Sequence, residues 1–273
     1  MDRLCRWLDR LGGKCDGWPM CGRFSLTATP EDVRDFLGLL ELEGFPPRFN
    51  IAPTQPILVV VAGDRQEPGS NLPDRKAVLV RWGLMPSWVK DPKEFPLLIN
   101  ARSETAIDKA SFRAAMRHHR VLVPASGFYE WHRPAKESGE RSQAYWIRPR
   151  HGRIIAFAGL MENWSSADGS EVDTGAILTV GSNKTIGRIH GRMPVVIKPE
   201  DFERWLDCKS GEPRHVADLM APVEEDFFEA IPVSDLVNKV ANTGPEVQAP
   251  VGESLAVAKP EKNSPGTGQM SLF

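Results

Sequence analysis

The sequence predicts an α+β fold, rich in β-strand and built as a single domain. Three observations predict it. Short runs rich in Val, Ile and aromatic residues recur through most of the chain, bounded by Gly, Pro, Asn or Asp. Helix start signals are few. The strand-like runs do not alternate regularly with helices, which excludes a doubly wound parallel sheet.

The predicted strands are residues 22–26, 57–62, 77–82, 121–124, 128–131, 144–147, 154–160, 176–180 and 194–197. Thr29 followed by Pro30, Glu31 and Asp32 offers an N-cap, a proline in the first turn and acidic residues beside it, so a helix begins there. Pro199, Glu200 and Asp201 open a second helix, through Leu206, in the same way. A third is predicted over 111–117. The domain spans residues 20–250. Residues 251–273 are poor in large apolar side chains and carry Pro260, Pro265, Gly266 and Gly268, the composition of a flexible tether.

The chain has 273 residues, 41% hydrophobic and 26% charged, close to an average globular protein. No apolar run approaches the roughly 18–20 residues of a membrane span. The first residues are charged throughout and lack the apolar stretch of a secretory signal. A cytoplasmic, nucleoid-associated protein without membrane contact is expected. Thirty-four Lys and Arg against 36 Asp and Glu give a net charge of −2, so any nucleic-acid contact must use a local basic cleft. Cysteines at 5, 15, 21 and 208 show no zinc spacing, and no metal or organic cofactor is expected.

Chemistry is concentrated in four segments. In Met20-Cys21-Gly22-Arg23-Phe24, translation from Met20 and removal of that methionine would expose Cys21 as the N-terminal residue. Such a cysteine carries a thiol of pKa about 8.5 beside an α-amine near about 7.7–8.0. The pair can attack an aldehyde twice, first forming a Schiff base and then a thiazolidine. The competing reading is an ordinary cysteine after a methionine. Asn100, within Ile99-Asn100-Ala101-Arg102-Ser103-Glu104, either caps a turn or holds an amine or sugar oxygen. Glu130, within Gly127-Phe128-Tyr129-Glu130-Trp131, faces with Phe128 and away from Tyr129 and Trp131 if the segment is a strand. It serves as a general acid or base, or else as a rim carboxylate. His190, in Ile189-His190-Gly191-Arg192-Met193-Pro194, is either a proton shuttle or a structural imidazole. Arg23, Arg48, Arg81, Arg102 and Arg192 interleave with Trp82 and Trp88, a mixture that suits single-stranded nucleic acid as well as a solvated face and a core.

Together with Arg48-Phe49-Asn50-Ile51-Ala52-Pro53-Thr54, Arg81-Trp82-Gly83-Leu84 and 237–246, these segments resemble the SOS response-associated peptidase (SRAP) family, the abasic-site crosslinking proteins. They follow the family's order over 20–250. The resemblance implies a barrel-like sheet core with a few flanking helices. It implies covalent capture of abasic sites in single-stranded DNA, an autopeptidase that exposes the cysteine, and lyase-type reversal of the adduct. By that likeness Cys21, Asn100, Glu130 and His190 are catalytic, and Arg23, Asn50, Pro53, Trp82, Trp88, Arg102 and Arg192 contact DNA.

One departure is that nineteen residues and Met20 precede Cys21. Either the true start is Met20, the favoured reading, or residues 1–19 are removed by processing. The last five residues, Gln269, Met270, Ser271, Leu272 and Phe273, resemble the bacterial sliding-clamp binding pentapeptide, which implies the clamp as a partner. A monomer suits a reaction that consumes the protein. Two alternatives remain: an N-terminal-cysteine amidohydrolase of the glutaminase type, and a noncatalytic DNA-binding or clamp-adaptor protein.

Overall fold

The computed structural model describes residues 22–63, 74–139 and 141–255. Its strands are β1 (Phe24–Leu26), β2 (Arg48–Ile51), β3 (Pro56–Ala62), β4 (Arg75–Trp82), β5 (Asn100–Arg102), β6 (Arg120–Ala125), β7 (Gly127–His132), β8 (Gln143–Pro149), β9 (Ile155–Ser165), β10 (Glu171–Gly181), β11 (Arg192–Pro194), β12 (Val196–Ile197) and β13 (Phe228–Val233). They form two sheets. The smaller has the order β13-β8-β7-β1-β2. In the larger, β10, β4, β3, β6 and β9 follow one another, and β9 pairs back onto β10, closing a five-stranded barrel. Only the β4–β10 contact in that ring is parallel. Closure leaves these strands without a free edge. The expectation of a β-rich, barrel-like α+β domain is borne out.

The barrel strands bury aliphatic side chains on both faces: Ile57, Val59 and Val80 lie on one, and Leu122, Ala158, Leu160 and Leu178 on the other. The smaller sheet packs on it through aromatics. Phe24 of β1 meets Trp82 of β4 edge-to-face at 5.1 Å, and Phe128 of β7 meets Phe157 of β9 at 6.0 Å. Such pairs add about 0.5–1.5 kcal/mol each beyond the area they bury.

The helix Pro30–Leu37 starts as its sequence predicts: the Thr29 hydroxyl accepts from the Asp32 N–H at 3.2 Å, and Gly38 ends it in a left-handed conformation. The helix expected over 111–117 runs Arg113–His118. Pro199–Asp201 is one tight turn that leads into the helix Phe202–Leu206. The expected strand 194–197 is two strands, because Val195 bonds in both directions: its N–H donates to Leu178 O, and its carbonyl accepts from Ala158 N. β2, β5 and β13 are strands that the apolar runs did not reveal. No helix among the described residues is long and apolar enough to cross a membrane.

Between β4 and β5 the chain leaves the barrel over residues 83–98 and returns. Gly83 opens this excursion at φ +138, where a Cβ would lie 2.4 Å from a Leu97 methyl, so only glycine fits. Met85, Val89 and Phe95 pack on Trp164, whose indole N–H donates to Val89 O at 2.7 Å.

Candidate active site

Glu130 and His190 meet where the two sheets face each other. Glu130 sits on β7 of the smaller sheet, and its carboxylate is buried. His190 lies two residues before the start of β11 in the larger one. Nδ1 of His190 lies 3.8 Å from Oε1 of Glu130. The Arg192 N–H points at the same Nδ1 from 3.2 Å. In the neutral ring Nδ1 accepts that bond, which leaves the ring proton on Nε2. Protonation at Nδ1 instead allows donation to the Arg192 carbonyl, also at 3.2 Å, and favours the nearby carboxylate. The facing predicted for the segment holds: Phe128 belongs to the main core, Tyr129 and Trp131 to a second cluster on the opposite side of the sheet.

Strand β1 brings the chain's N-terminal direction to this pair. Phe24 is opposite Phe128, and Ser25 opposite Gly127. The Tyr129 N–H donates to Arg23 O at 2.9 Å. The same antiparallel register brings Gly22 level with Glu130. Cys21, the expected nucleophile, lies outside the described residues.

Strand β10 organises the other side. Asn100 pairs with Ile177, and Arg102 with Thr179, in the parallel β5–β10 ladder. On the other edge, Gly181 pairs with Arg192. The Arg192 side chain crosses β10. Its Nε donates to Thr179 Oγ1 at 3.3 Å, and both terminal nitrogens fork onto Glu104 at 2.9 and 2.8 Å. Hydrogen bonding from Arg192 holds the Glu104 carboxyl below its ordinary range. Arg102, by contrast, is exposed.

The structure separates the expected DNA contacts into two groups. Arg102 and Trp88 are exposed, Trp88 at 58% with its ring edge-on to Phe95 on the 83–98 excursion, and Pro53 is half-buried in a turn. Three others are framework. Trp82 is fully buried in the core, and its indole N–H donates to Ile99 O at 2.9 Å, so the expected DNA contact is corrected to a core residue. Asn50 is buried as well. Its Oδ1 accepts from Arg23 Nη1 at 2.8 Å, while its Nδ2 donates to the carbonyls of Val237, Lys239 and Asn242. Arg23 gives the same Nη1 to Val237 O at 2.7 Å, and burial lowers its pKa. Asn50 and Arg23 are therefore spent on stitching 237–242 beneath β1 and β2. Arg192 holds a middle position, its side chain 15% exposed and its fork occupied.

Sequence reasoning missed four contributors. Thr179 and Glu104 orient Arg192. Tyr129 lies buried, its hydroxyl donating to Phe49 O at 2.6 Å, and burial pushes its pKa up. Thr54 adopts φ +72, which is unusual for a β-branched residue. Glu104, Tyr129 and Thr54 lie within motifs already singled out, and Thr179 lies on a predicted strand. Thr54 had a weak signal, Pro followed by a second turn position.

The comparisons with known proteins agree with this architecture. The solved structure of a protein from Bacteroides thetaiotaomicron superposes with a TM-score of 0.72, covering 84% of this chain and 98% of that one at 22% identity. Abasic site processing protein YoqW of Bacillus subtilis is 36% identical over 233 residues, 84% of this chain and 98% of the relative. Abasic site processing protein HMCES of Xenopus tropicalis is 30% identical over 267 residues, 85% of this chain and 78% of the relative. The match to the family described as SOS response associated peptidase (SRAP) runs over residues 20–240, and the chain belongs to that family.

Proposed function

We propose that this protein processes abasic sites in single-stranded DNA by capturing them through Cys21. An abasic deoxyribose opens to an aldehyde. The α-amine of an N-terminal Cys21 adds to the aldehyde carbon, and loss of water gives a Schiff base. The Cys21 thiolate then closes on the imine carbon, the nitrogen takes up a proton, and a five-membered thiazolidine links protein to DNA. The reaction needs a free amine. It therefore requires either translation from Met20 with loss of that methionine, or autoproteolytic removal of the residues before Cys21.

The remaining roles follow from position. Glu130 exchanges protons with the sugar during ring opening, and His190 relays them at the Schiff-base stage. Asn100 orients the amine and the sugar. Arg102 neutralises phosphate, and Trp88 supplies an exposed ring for a base. Reversal of the adduct runs the same proton transfers backwards.

The observation that carries this reading is the Glu130–His190 pair, 3.8 Å apart, beside a strand whose register leads the N-terminus towards it. The relatives named as abasic site processing proteins support the substrate. The last five residues, 269–273, lie outside the described residues. We assign them to a sliding clamp, which would hold a monomeric enzyme near replicating DNA.

The test uses protein that begins at Cys21, its N-terminus verified by mass, with single-stranded DNA carrying one abasic site. A heat-stable adduct on a denaturing gel, lost in Cys21→Ala, is expected. No adduct would overturn the proposal, and ammonia release from glutamine would then favour an amidohydrolase. Clamp binding is read by pull-down. Deletion of 269–273 should abolish it, and unchanged capture would refute that assignment.

A further inference from the structure

We infer that Trp82 is a positioning residue that sets Asn100 against the N-terminal strand. The inference rests on the crosslinking reading above, in which Asn100 orients the amine. Trp82 ends β4, inside the core and fully buried. Its indole Nε1–H donates to Ile99 O at 2.9 Å. That carbonyl belongs to the peptide unit whose N–H is Asn100's own. Fixing it fixes the plane from which the Asn100 side chain departs.

β5 has only three residues, so few ladder bonds define its orientation. The Ile99 carbonyl also accepts from the Ile177 N–H, at 3.0 Å. Trp82 supplies the second anchor, from a direction that the sheet does not. The same residue holds two further elements. Its backbone N–H donates to Gln55 O at 2.9 Å, and its carbonyl accepts from Thr54 N at 2.8 Å, which fastens the turn at Pro53 and Thr54. Its ring takes the edge-to-face contact with Phe24, three residues after Cys21.

One side chain thus links the strand that leads to Cys21 with the peptide that carries Asn100. A buried indole N–H needs an acceptor wherever it sits, and here that acceptor is the carbonyl of the peptide that carries Asn100. A misplacement of about 1 Å at a reacting centre can cost about a hundredfold in rate.

The experiment compares Trp82→Phe with Trp205→Phe, both in protein beginning at Cys21. Trp205 is also fully buried, and its indole N–H donates to Val121 O at 2.9 Å, so the second variant loses an equivalent bond elsewhere in the core. Adduct formation is followed against DNA concentration, with melting temperature measured in parallel. Trp82→Phe should lower the maximal rate at least about tenfold, leave half-saturation within about twofold, and cause no further loss on an Asn100→Ala background. Trp205→Phe should melt earlier with its rate unchanged. A wild-type rate in Trp82→Phe, a loss shared equally by Trp205→Phe, or a loss that multiplies with Asn100→Ala would overturn the inference.

If the unsubstituted protein forms no adduct, the crosslinking reading fails first. Positioning is then read from the Asn100 side-chain amide pair in a ¹H–¹⁵N spectrum. Displacement by Trp82→Phe and not by Trp205→Phe upholds the inference, and unmoved resonances overturn it.

Discussion

His190 and Glu130 face each other across the junction of the two sheets with unequal access to water: the imidazole is 29% exposed, the carboxylate 5%. A proton entering from solvent therefore reaches the imidazole before the carboxylate. The two groups are close enough to work as a relay, and groups that act as a unit lose activity non-additively. Glu130→Gln and His190→Gln should each slow adduct formation on the order of a hundredfold, the usual scale for general acid–base catalysis. The double substitution should be little slower than the worse single one. Single-turnover quench kinetics measure this, and multiplied losses would mean independent roles.

Thr54 occupies the third position of a turn closed by the Gln55 N–H donating to Ala52 O at 3.3 Å, with Pro53 before it. That is where a type II turn takes glycine. A left-handed conformation costs a residue with a Cβ roughly 1–2 kcal/mol, and glycine in turn gives up roughly 0.5–1 kcal/mol of chain entropy. Thr54→Gly should therefore raise stability by up to about 1 kcal/mol, seen as a melting point a few degrees higher. A lower melting point would show that the threonine hydroxyl or methyl contributes more than its backbone costs.

The parts of this protein legible in the sequence are those fixed by local chemistry. The Thr29 cap, the proline-opened turn at 199 and the alternation of Phe128 and Tyr129 follow from neighbouring residues alone. Barrel closure does not. It depends on β9 and β10 pairing with each other and with distant strands, and no local pattern encodes a pairing partner. The site shows the same division. Glu130, His190 and Asn100 stand out by type and setting, whereas Trp82 reads equally as a DNA contact or a core residue, because residue type carries no sign of depth. Asn50 looked like a DNA contact for a related reason: its three acceptors lie nearly two hundred residues away.

Asn50 predicts a local rather than a global failure. One side chain accepts from Arg23 and donates to three carbonyls of 237–242. Asn50→Leu leaves those carbonyls and the half-buried Arg23 guanidinium short of partners, and each buried polar group left unsatisfied costs about 1–3 kcal/mol. A total destabilisation of about 3 kcal/mol is expected, near the upper end for single substitutions. Hydrogen exchange should show the segment around 237–248 losing protection before the barrel strands do. Uniform loss of protection would mean that the stitch supports the whole domain.

Glu104 holds Arg192 in the geometry that a phosphate would use, a fork of two nitrogens on two oxygens. As long as that pair stands, Arg192 is a poor phosphate ligand. Glu104→Gln removes the competing charge, so affinity for single-stranded DNA should rise severalfold and the salt dependence should steepen by about 0.7, the increment for one added phosphate contact. The stability cost should be small, because Glu104 is half exposed and such pairs contribute about 0–1 kcal/mol. The sign of the pH effect follows from the lowered Glu104 pKa. A carboxyl depressed in the folded state stabilises above its unfolded pKa of about 4.3, and that contribution fades as pH falls through the lower folded value. Wild type should therefore be slightly more stable than Glu104→Gln near neutrality, with the gap closing in acid below about pH 4. Binding isotherms at two salt concentrations check the first claim, and urea melts across pH check the second. Weaker DNA binding in Glu104→Gln would mean that the carboxylate orients Arg192 for phosphate instead of competing with it.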